Sequence, residues 1–296
     1  MMADKTWLGK TGGTQRMQRT LIRWFRHIDT RLICWFTALW VLGYILLLGR
    51  ERRASWHYWR RRQGKRPLAA CRWMWRQYYA MSDVVLDRFA AFAGQRFDIH
   101  TDDPNGLMER LQQAPEGFVV ISSHIGNQEL AGYFTESKKP MHVLIYLGDT
   151  QTMNEQRTRM FAERNLTFLP VEADGSHVFE MHEVLSRGDA LSIHGDRTFT
   201  GSRTLLLPFL GAEAVFPEGP FRVAAAERVP VVTMFMLRTG HNRYELRIRG
   251  LSRPEDDTFN NKQLARALAE RYAAEMEAAL SDYPEQWFNF YEFWNE

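Results

Sequence analysis

The order of apolar segments between residues 97 and 196 constrains the fold more than any other feature of the chain. Short runs rich in Val, Ile and Leu, each of strand length, alternate with longer segments in which apolar residues recur at helical spacing. The run FVVISS at 118–123 begins with four apolar residues, which is typical of a strand buried on both faces. This alternation predicts an α/β fold with a single mixed, largely parallel sheet flanked by helices.

The individual elements follow from the same pattern. Strands are predicted near 97–100 and at 118–123, 142–146, 166–171, 190–196, 205–210, 229–237 and 244–249. Helices are predicted in two pieces over 51–93, from Pro104, through Leu130, and at 152–164, 175–187, 217–227 and 261–280. An aromatic stretch, Trp287 to Trp294, ends the chain and is expected to pack on the domain.

An uncharged run of 18 residues separates Arg31 from Arg50. As a helix it would be about 27 Å long, against about 30 Å of bilayer hydrocarbon. We therefore expect an N-terminal membrane helix at 32–49, within membrane-associated helices over residues 1–95, followed by a catalytic domain at 96–296. A buried core helix or a re-entrant segment is the alternative. A signal peptide is disfavoured because the run starts late and lacks a small-residue cleavage site.

Charge is distributed unevenly along the chain. Residues 1–100 hold 19 Lys and Arg against 6 Asp and Glu, whereas the remainder holds 19 against 29. A basic segment binds nucleic acid or anionic lipid, and its position beside the apolar run favours lipid. The slight excess of basic residues after that run predicts a catalytic domain on the cytoplasmic face of the inner membrane. Two cysteines, Cys34 and Cys71, are too few for a disulfide framework.

The sharpest chemical feature is His124, which follows a predicted strand and is separated by four residues from Glu129. Reactive groups of open α/β sheets gather at the carboxyl ends of strands. There His124 can take a proton from an acceptor hydroxyl while Glu129 holds the other ring nitrogen and fixes the tautomer. Chance also produces such a spacing, so a structural, hydrogen-bonded His124 is the alternative.

Five further residues are candidates for binding substrate: Asn127, Asp196, Arg197, Arg203 and Gly219. Asn127 lies where a helix would begin and would direct free amides to the site. Asp196 ends a predicted strand and, with Arg197 or Arg203, is placed to position an acceptor or a phosphate. Arg203 is equally well explained as a solvated surface cation, and Gly219 as a turn residue at a helix start.

A metal site is disfavoured by the same sequence. His194 and Asp196 lie two residues apart, but the other histidines fall on different predicted elements, and the chain has no HExxH motif and no Cys/His spacing of a zinc site. We expect no metal and no cofactor.

Three blocks of the chain resemble the bacterial lipid A late acyltransferases, within the broader lysophospholipid acyltransferase superfamily. A basic-flanked apolar segment precedes His-x4-Glu at His124 and Glu129, the residues that match the catalytic pair of that family. The block GDRTFTGSRTLLLPFLGAEAVFPEGPFRV places Asp196 and the pair Gly219-Pro220 in the family's positions. The C-terminal YPEQW resembles its Pro-Glu-Gln-Trp signature.

The chain differs from lipid A enzymes after Asp196. Those enzymes typically carry Asp-Gln-Asp followed by glycine, whereas this chain has Asp196, Arg197, Thr198 and Thr200. This block looks more like the divergent branch associated with aryl polyene-type lipid biosynthesis clusters, which implies a specialised acceptor lipid.

The resemblance implies an inner-membrane acyltransferase that uses a thioester of acyl carrier protein or coenzyme A as co-substrate. The acceptor would be a hydroxyl or amine of a membrane lipid or glycolipid. Two alternatives stay open from the residues: a hydrolase that uses the same histidine on water, and a lipid-binding membrane protein without catalytic activity.

Overall fold

The computed structural model describes residues 20, 22–25, 30–47, 49–145, 151–171, 175–198 and 201–294. The strands are β1 (Asp98–Asp102), β2 (Phe118–Ser122), β3 (Met141–Ile145), β4 (Leu166–Pro170), β5 (Ala190–His194), β6 (Thr204–Phe209), β7 (Ala212–Pro217), β8 (Val231–Gly240) and β9 (Arg243–Gly250). Seven of them form one sheet in the order β1-β9-β8-β2-β5-β3-β4.

The centre of this sheet is parallel. β2 pairs in parallel with both β5 and β8, and β3 pairs in parallel with both β4 and β5. The direction reverses between β8 and β9, and β1 follows β9 in parallel. The predicted mixed, largely parallel α/β sheet is therefore confirmed, and the carboxyl ends of β2 and β5 lie side by side, with Ser122 in register with His194.

The prediction that all strands belong to a single sheet is wrong. β6 and β7 form a separate antiparallel hairpin. Pro208 has no N–H to donate, which suits β6 to a short two-stranded ribbon rather than to the interior of the main sheet. Leu210 and Gly211 make the turn with positive φ, and the strand that follows, β7, was not predicted.

The helices agree with the predicted alternation. They are α1 (Thr30–Leu47), α2 (Arg50–His57), α3 (Pro67–Phe92), α4 (Leu107–Gln113), α5 (Gln128–Phe134), α6 (Gln151–Ala162), α7 (His177–Ser186), α8 (Gly219–Glu227) and α9 (Asn261–Asp282). Pro67 starts α3 at a position where a missing N–H costs nothing. Asn260 and Gln263 form a capping box at the start of α9.

Both faces of the sheet are covered. Along β2, Val119 and Ile121 contribute to one hydrophobic core and Phe118 and Val120 to the other. The first core contains residues of α7, α8 and α9 together with the C-terminal aromatic residues, and the second contains residues of α4, α5 and the end of α3. Burial on both faces is what the uninterrupted apolar run of β2 predicts.

The N-terminal helix α1 packs against α3, with Val41 and Ile45 buried and Trp40 and Leu47 exposed. Within the ranges that the structure describes, no helix combines the length and the apolar character required to cross a bilayer. The predicted span at 32–49 is therefore not supported.

A non-helical turn between β2 and α5 presents His124. Gly126 adopts φ +70° within it, and a Cβ at this position would lie 2.0 Å from the carbonyl oxygen of Met236. The N–H of Asn127 donates to the same oxygen at 2.7 Å. Only glycine allows β8 to approach the turn this closely.

Gly126→Ala should lower the free energy of unfolding by about 3 kcal/mol or more, because it adds a backbone clash to the cost of a left-handed residue. Gly211→Ala is the matched control. Gly211 has φ +78° but open space around its Cβ position, so its variant should lose only about 1–2 kcal/mol. Urea unfolding of both variants measures the difference, and equal losses would contradict the close approach.

Candidate active site

The side chain that holds the His124 ring is Asp196, at the end of the neighbouring strand. His124 Nδ1 lies 2.8 Å from Asp196 Oδ1, and the backbone N–H of His124 donates to Asp196 Oδ2 at 2.8 Å. Because β2 and β5 are parallel neighbours, the residues just after them meet at one edge of the sheet. The expectation that Asp196 lies near His124 is confirmed.

Asp196 is buried and its carboxylate is fully engaged. Besides the two bonds from His124, Trp287 Nε1 donates to Oδ2 at 3.2 Å, and Tyr291 Oη donates to the Asp196 carbonyl at 2.7 Å. Burial alone would raise the pKa of this carboxyl, but His124, its hydrogen bond and Arg197 outweigh burial and hold the pKa well below its usual range. The group is therefore a carboxylate at neutral pH and only accepts hydrogen bonds.

This charge state fixes the tautomer of His124. Since Asp196 accepts, Nδ1 carries the proton and the neutral ring keeps its lone pair on Nε2. Nε2 makes no hydrogen bond with any described residue, and 24% of the side chain is exposed. Burial, followed by Arg197, lowers the pKa of His124 despite the opposing effect of Asp196. His124 is thus a neutral base in the physiological pH range.

The predicted contact between His124 and Glu129 does not form. Glu129 lies in the first turn of α5, and its carboxylate pairs with Arg157 Nε at 2.8 Å and with Arg88 Nη1 at 3.0 Å. Tyr133 donates a further hydrogen bond to Oε1. Two guanidinium groups thus occupy the carboxylate that was expected to orient the histidine.

Glu129 is ionised for the same reason. Burial would raise the pKa of its carboxyl, but Arg88, Arg157 and the hydrogen bonds from Arg157 and Tyr133 lower it to about 2. Arg88 also lowers the pKa of His124, so it acts on both groups. Glu129 thus holds two guanidinium groups beside the His124 turn.

A second histidine borders the first. The rings of His124 and His194 lie 4.6 Å apart between centroids, and His194 Nδ1 is 2.7 Å from Ser122 Oγ. Desolvation by the surrounding protein lowers the pKa of His194, and the neighbouring His124 lowers it further. His194 is therefore neutral, although the residue is exposed at the surface. The sequence pattern indicated no role for His194 other than that of a disfavoured metal ligand.

Asn127 has a structural position. It is fully buried, its Oδ1 caps α5 by accepting from the Leu130 N–H at 3.4 Å, and its Nδ2 donates to Tyr244 Oη at 3.3 Å. Tyr244 in turn donates to Asp87, which pairs with Arg238. These contacts give Asn127 a role in supporting the turn, where the sequence predicted substrate contact.

Of the three remaining predicted binding residues, one lies next to Asp196 and two are exposed to solvent. Arg197 lies beside Asp196, and its Nη2 donates to the Phe288 carbonyl at 3.4 Å. Arg203 and Gly219 are exposed, and a Cβ at Gly219 would meet open space. Their placement fits a solvated cation and a helix-start residue, and their contact with substrate stays a prediction.

The pairing of Arg88 and Arg157 with Glu129 could not be predicted from the sequence. Both lie inside helices, α3 and α6, with no local pattern that separates them from other surface arginines. In the described part of the chain, no group of three or more His, Cys, Asp or Glu side chains is arranged to hold a metal ion.

Fold and site together define an α/β protein with a hydrogen-bonded histidine–aspartate pair at the carboxyl edge of its parallel sheet. The family described as bacterial lipid A biosynthesis acyltransferase matches residues 95–296, and the chain belongs to this family. Membership makes acyl transfer in lipid biosynthesis its class of activity. No curated protein gives a significant match to the chain.

The charged groups around His124 predict the direction in which its pKa shifts. Its pKa should lie below 6.5 in the native protein, and Asp196→Asn should lower it further because the carboxylate favours the imidazolium. Glu129→Gln is the control and should shift it less, since Glu129 makes no contact with the ring. Nitrogen-15 NMR titration measures these values. A pKa that rises in Asp196→Asn would refute the assigned pair.

Proposed function

We propose that the protein transfers a fatty acyl group from a thioester of acyl carrier protein or coenzyme A to a hydroxyl or amine of a membrane lipid or glycolipid. The observation that carries this proposal is the His124–Asp196 pair, which leaves a neutral Nε2 at the edge of the sheet without a hydrogen bond to any residue that the structure describes. No metal and no cofactor take part in the proposed reaction.

In the proposed reaction, Nε2 of His124 removes the proton from the acceptor as the acceptor oxygen or nitrogen attacks the thioester carbonyl. The tetrahedral intermediate then expels the thiolate, which takes up the proton from the imidazolium. Asp196 keeps the ring in the Nδ1–H tautomer and stabilises its positive charge. The products are the acylated lipid and the free thiol of the carrier.

Glu129 has a different role from the one that its spacing suggests. Its carboxylate holds Arg88 and Arg157 in fixed positions next to the His124 turn. Guanidinium groups in these positions suit the oxyanion that develops on the thioester carbonyl, or a phosphate on either substrate. Glu129 therefore acts through the guanidinium groups and not through the imidazole.

The acceptor is proposed to be a specialised lipid of the kind made by the aryl polyene-type branch. The support is the sequence after Asp196, where the half-buried Arg197 stands in place of the usual glutamine. Arg197 adds a cation on the Asp196 side of His124, opposite in charge to an acidic lipid substituent.

The proposed location is the cytoplasmic face of the inner membrane. Exposed apolar side chains of α1, among them Trp40, Leu46 and Leu47, adjoin basic residues at the start of α2. A surface cavity of about 520 Å³ lies there, lined by Gly49, Arg50, Arg52, Arg53, Trp56 and Met74. Apolar and cationic groups side by side suit the interface of an anionic bilayer.

Substitution of the base tests the proposal. His124→Ala should reduce acceptor-dependent transfer from a labelled acyl thioester by about 10²–10⁴-fold while the protein stays folded. His182→Ala is the control, because His182 pairs with Glu227 on the surface and should retain full activity. The readout is acylated lipid resolved from free fatty acid, with inner-membrane lipid extract as the acceptor.

Three outcomes are informative. Free fatty acid without acylated lipid would assign a hydrolase that uses the same base on water. A whole-cell lipid profile that is identical in wild type and His124→Ala, with no turnover of thioester, would indicate a lipid-binding protein. Undiminished transfer by His124→Ala would eliminate His124 as the base.

The division of roles between the two carboxylates is separately testable. Asp196→Asn should lower kcat and move the acidic limb of the pH–rate profile to lower pH, because the pKa of His124 falls without its partner. Glu129→Gln should lower kcat by about 10–100-fold with little movement of that limb. A limb that moves with Glu129→Gln and not with Asp196→Asn would reverse the assignment.

A further inference from the structure

The C-terminal segment binds the turn that carries His124. The N–H of Phe288 donates to the His124 carbonyl at 3.0 Å, and the N–H of Gly126 donates to the Gln286 carbonyl at 2.8 Å. Ile125 and Trp287 therefore pair as an isolated antiparallel bridge. The segment acts as a short strand laid along the catalytic turn.

The same segment is fixed to the rest of the protein by side-chain amides. Gln286 Oε1 accepts from the Arg238 N–H and Gln286 Nε2 donates to the Arg238 carbonyl, both at 2.8 Å, which ties the segment to β8. Gln77 of α3 donates to the Trp287 carbonyl at 2.6 Å. The backbone at residue 287 is thus held from two sides.

The indole of Trp287 reaches the carboxylate that orients the base. Its Nε1 donates to Asp196 Oδ2, and among the described residues the one other donor to that oxygen is the backbone N–H of His124. With Oδ2 occupied by these two donors, Oδ1 is left to face the His124 ring. Trp287 is 1% exposed and packs edge-on against Tyr58, Phe209 and Phe293, so its N–H cannot turn elsewhere without repacking the core.

We propose that Trp287 is a positioning residue for catalysis, and that its indole N–H sets the orientation of the Asp196 carboxylate and thereby the basicity of His124. This inference rests on the proposed function of His124 as the base. Removal of the indole N–H would leave Asp196 Oδ2 with one donor, the His124 backbone N–H. The carboxylate would then be freer to rotate, and more of its negative charge would be available to the hydrogen bond with the His124 ring.

Other charged and titratable groups around the pair do not replace this donor. Asp196 is faced by His124, His194, Arg197, Tyr272 and Tyr291, but Tyr291 donates to the main-chain carbonyl and Tyr272 to the Ser122 carbonyl. On the His124 side the neighbouring groups are Asp196, Arg197, Arg88 and His194. These groups are unchanged by a substitution at Trp287, so a shift in His124 reports the lost hydrogen bond.

The test replaces one indole N–H and keeps the shape of the ring. Incorporation of 3-benzothienylalanine at position 287, which has sulfur in place of N–H, should lower kcat about tenfold and leave both KM values within about twofold of wild type. The acidic limb of the pH–rate profile should move to higher pH, because the less solvated carboxylate stabilises the imidazolium more strongly. Trp287→Phe should move both quantities in the same directions.

Trp294→Phe is the matched control. Trp294 contacts Trp287 within the same aromatic cluster, and its own Nε1 donates to the Phe209 carbonyl at 3.1 Å, away from Asp196. Its variant loses one indole hydrogen bond but should keep the wild-type kcat and pH profile. Equal losses in Trp294→Phe and the position-287 variants would show a packing effect and overturn the inference.

Two further readouts separate this inference from the proposed function. The pKa of His124, measured by nitrogen-15 NMR, should rise in the benzothienylalanine protein whether or not the reaction assay works. A wild-type protein without transferase activity would overturn the proposed function alone. An unchanged kcat in the position-287 variants, together with an unchanged pKa of His124, would overturn the role of Trp287 alone.

Discussion

The proposed chemistry of this protein depends on a single partly buried interaction, the hydrogen bond between the His124 ring and the Asp196 carboxylate. A buried carboxylate is costly unless its charge is matched, and here three N–H donors from His124 and Trp287 match it. The carboxylate and its donors come from three distant parts of the chain. Because Asp196 stays ionised, His124 has one tautomer and its lone pair is directed away from Asp196, as a general base requires.

The fold brings these parts together through the parallel pairing of β2 and β5. Neighbouring strands that run in the same direction end at the same edge, so residues 72 positions apart become hydrogen-bonding partners. The close approach of β8 at Gly126 and the pairing of the C-terminal segment with Ile125 then fix the turn between β2 and α5. The C-terminal segment Pro284 to Trp287, which resembles a family signature, thus contacts the turn that carries His124.

The sequence was sufficient to predict the main parallel sheet with its helices and part of the site, but not the separate β6–β7 hairpin. Alternating apolar runs predicted the parallel sheet and its helices, since strand and helix periodicities are local properties. The position of His124 at a strand end followed from the same reasoning. The partner of His124 could not be predicted in this way. Spacing along the chain suggested Glu129, and no local sequence pattern indicates that Arg88 and Arg157 pair with that carboxylate. Side-chain partners depend on which strands are neighbours, which is a tertiary property.

We propose that Nε2 of His124 is a reactive, unprotonated nitrogen within an acyl-binding site. Reaction with a fatty acyl chloromethyl ketone, followed by peptide mass spectrometry, tests it most directly, because this reagent combines an acyl chain with an electrophile for an unprotonated imidazole. We expect one alkylated histidine, His124, with slower labelling in Asp196→Asn. Labelling at His194 or Glu129 in its place, or equal rates in Asp196→Asn and wild type, would contradict it.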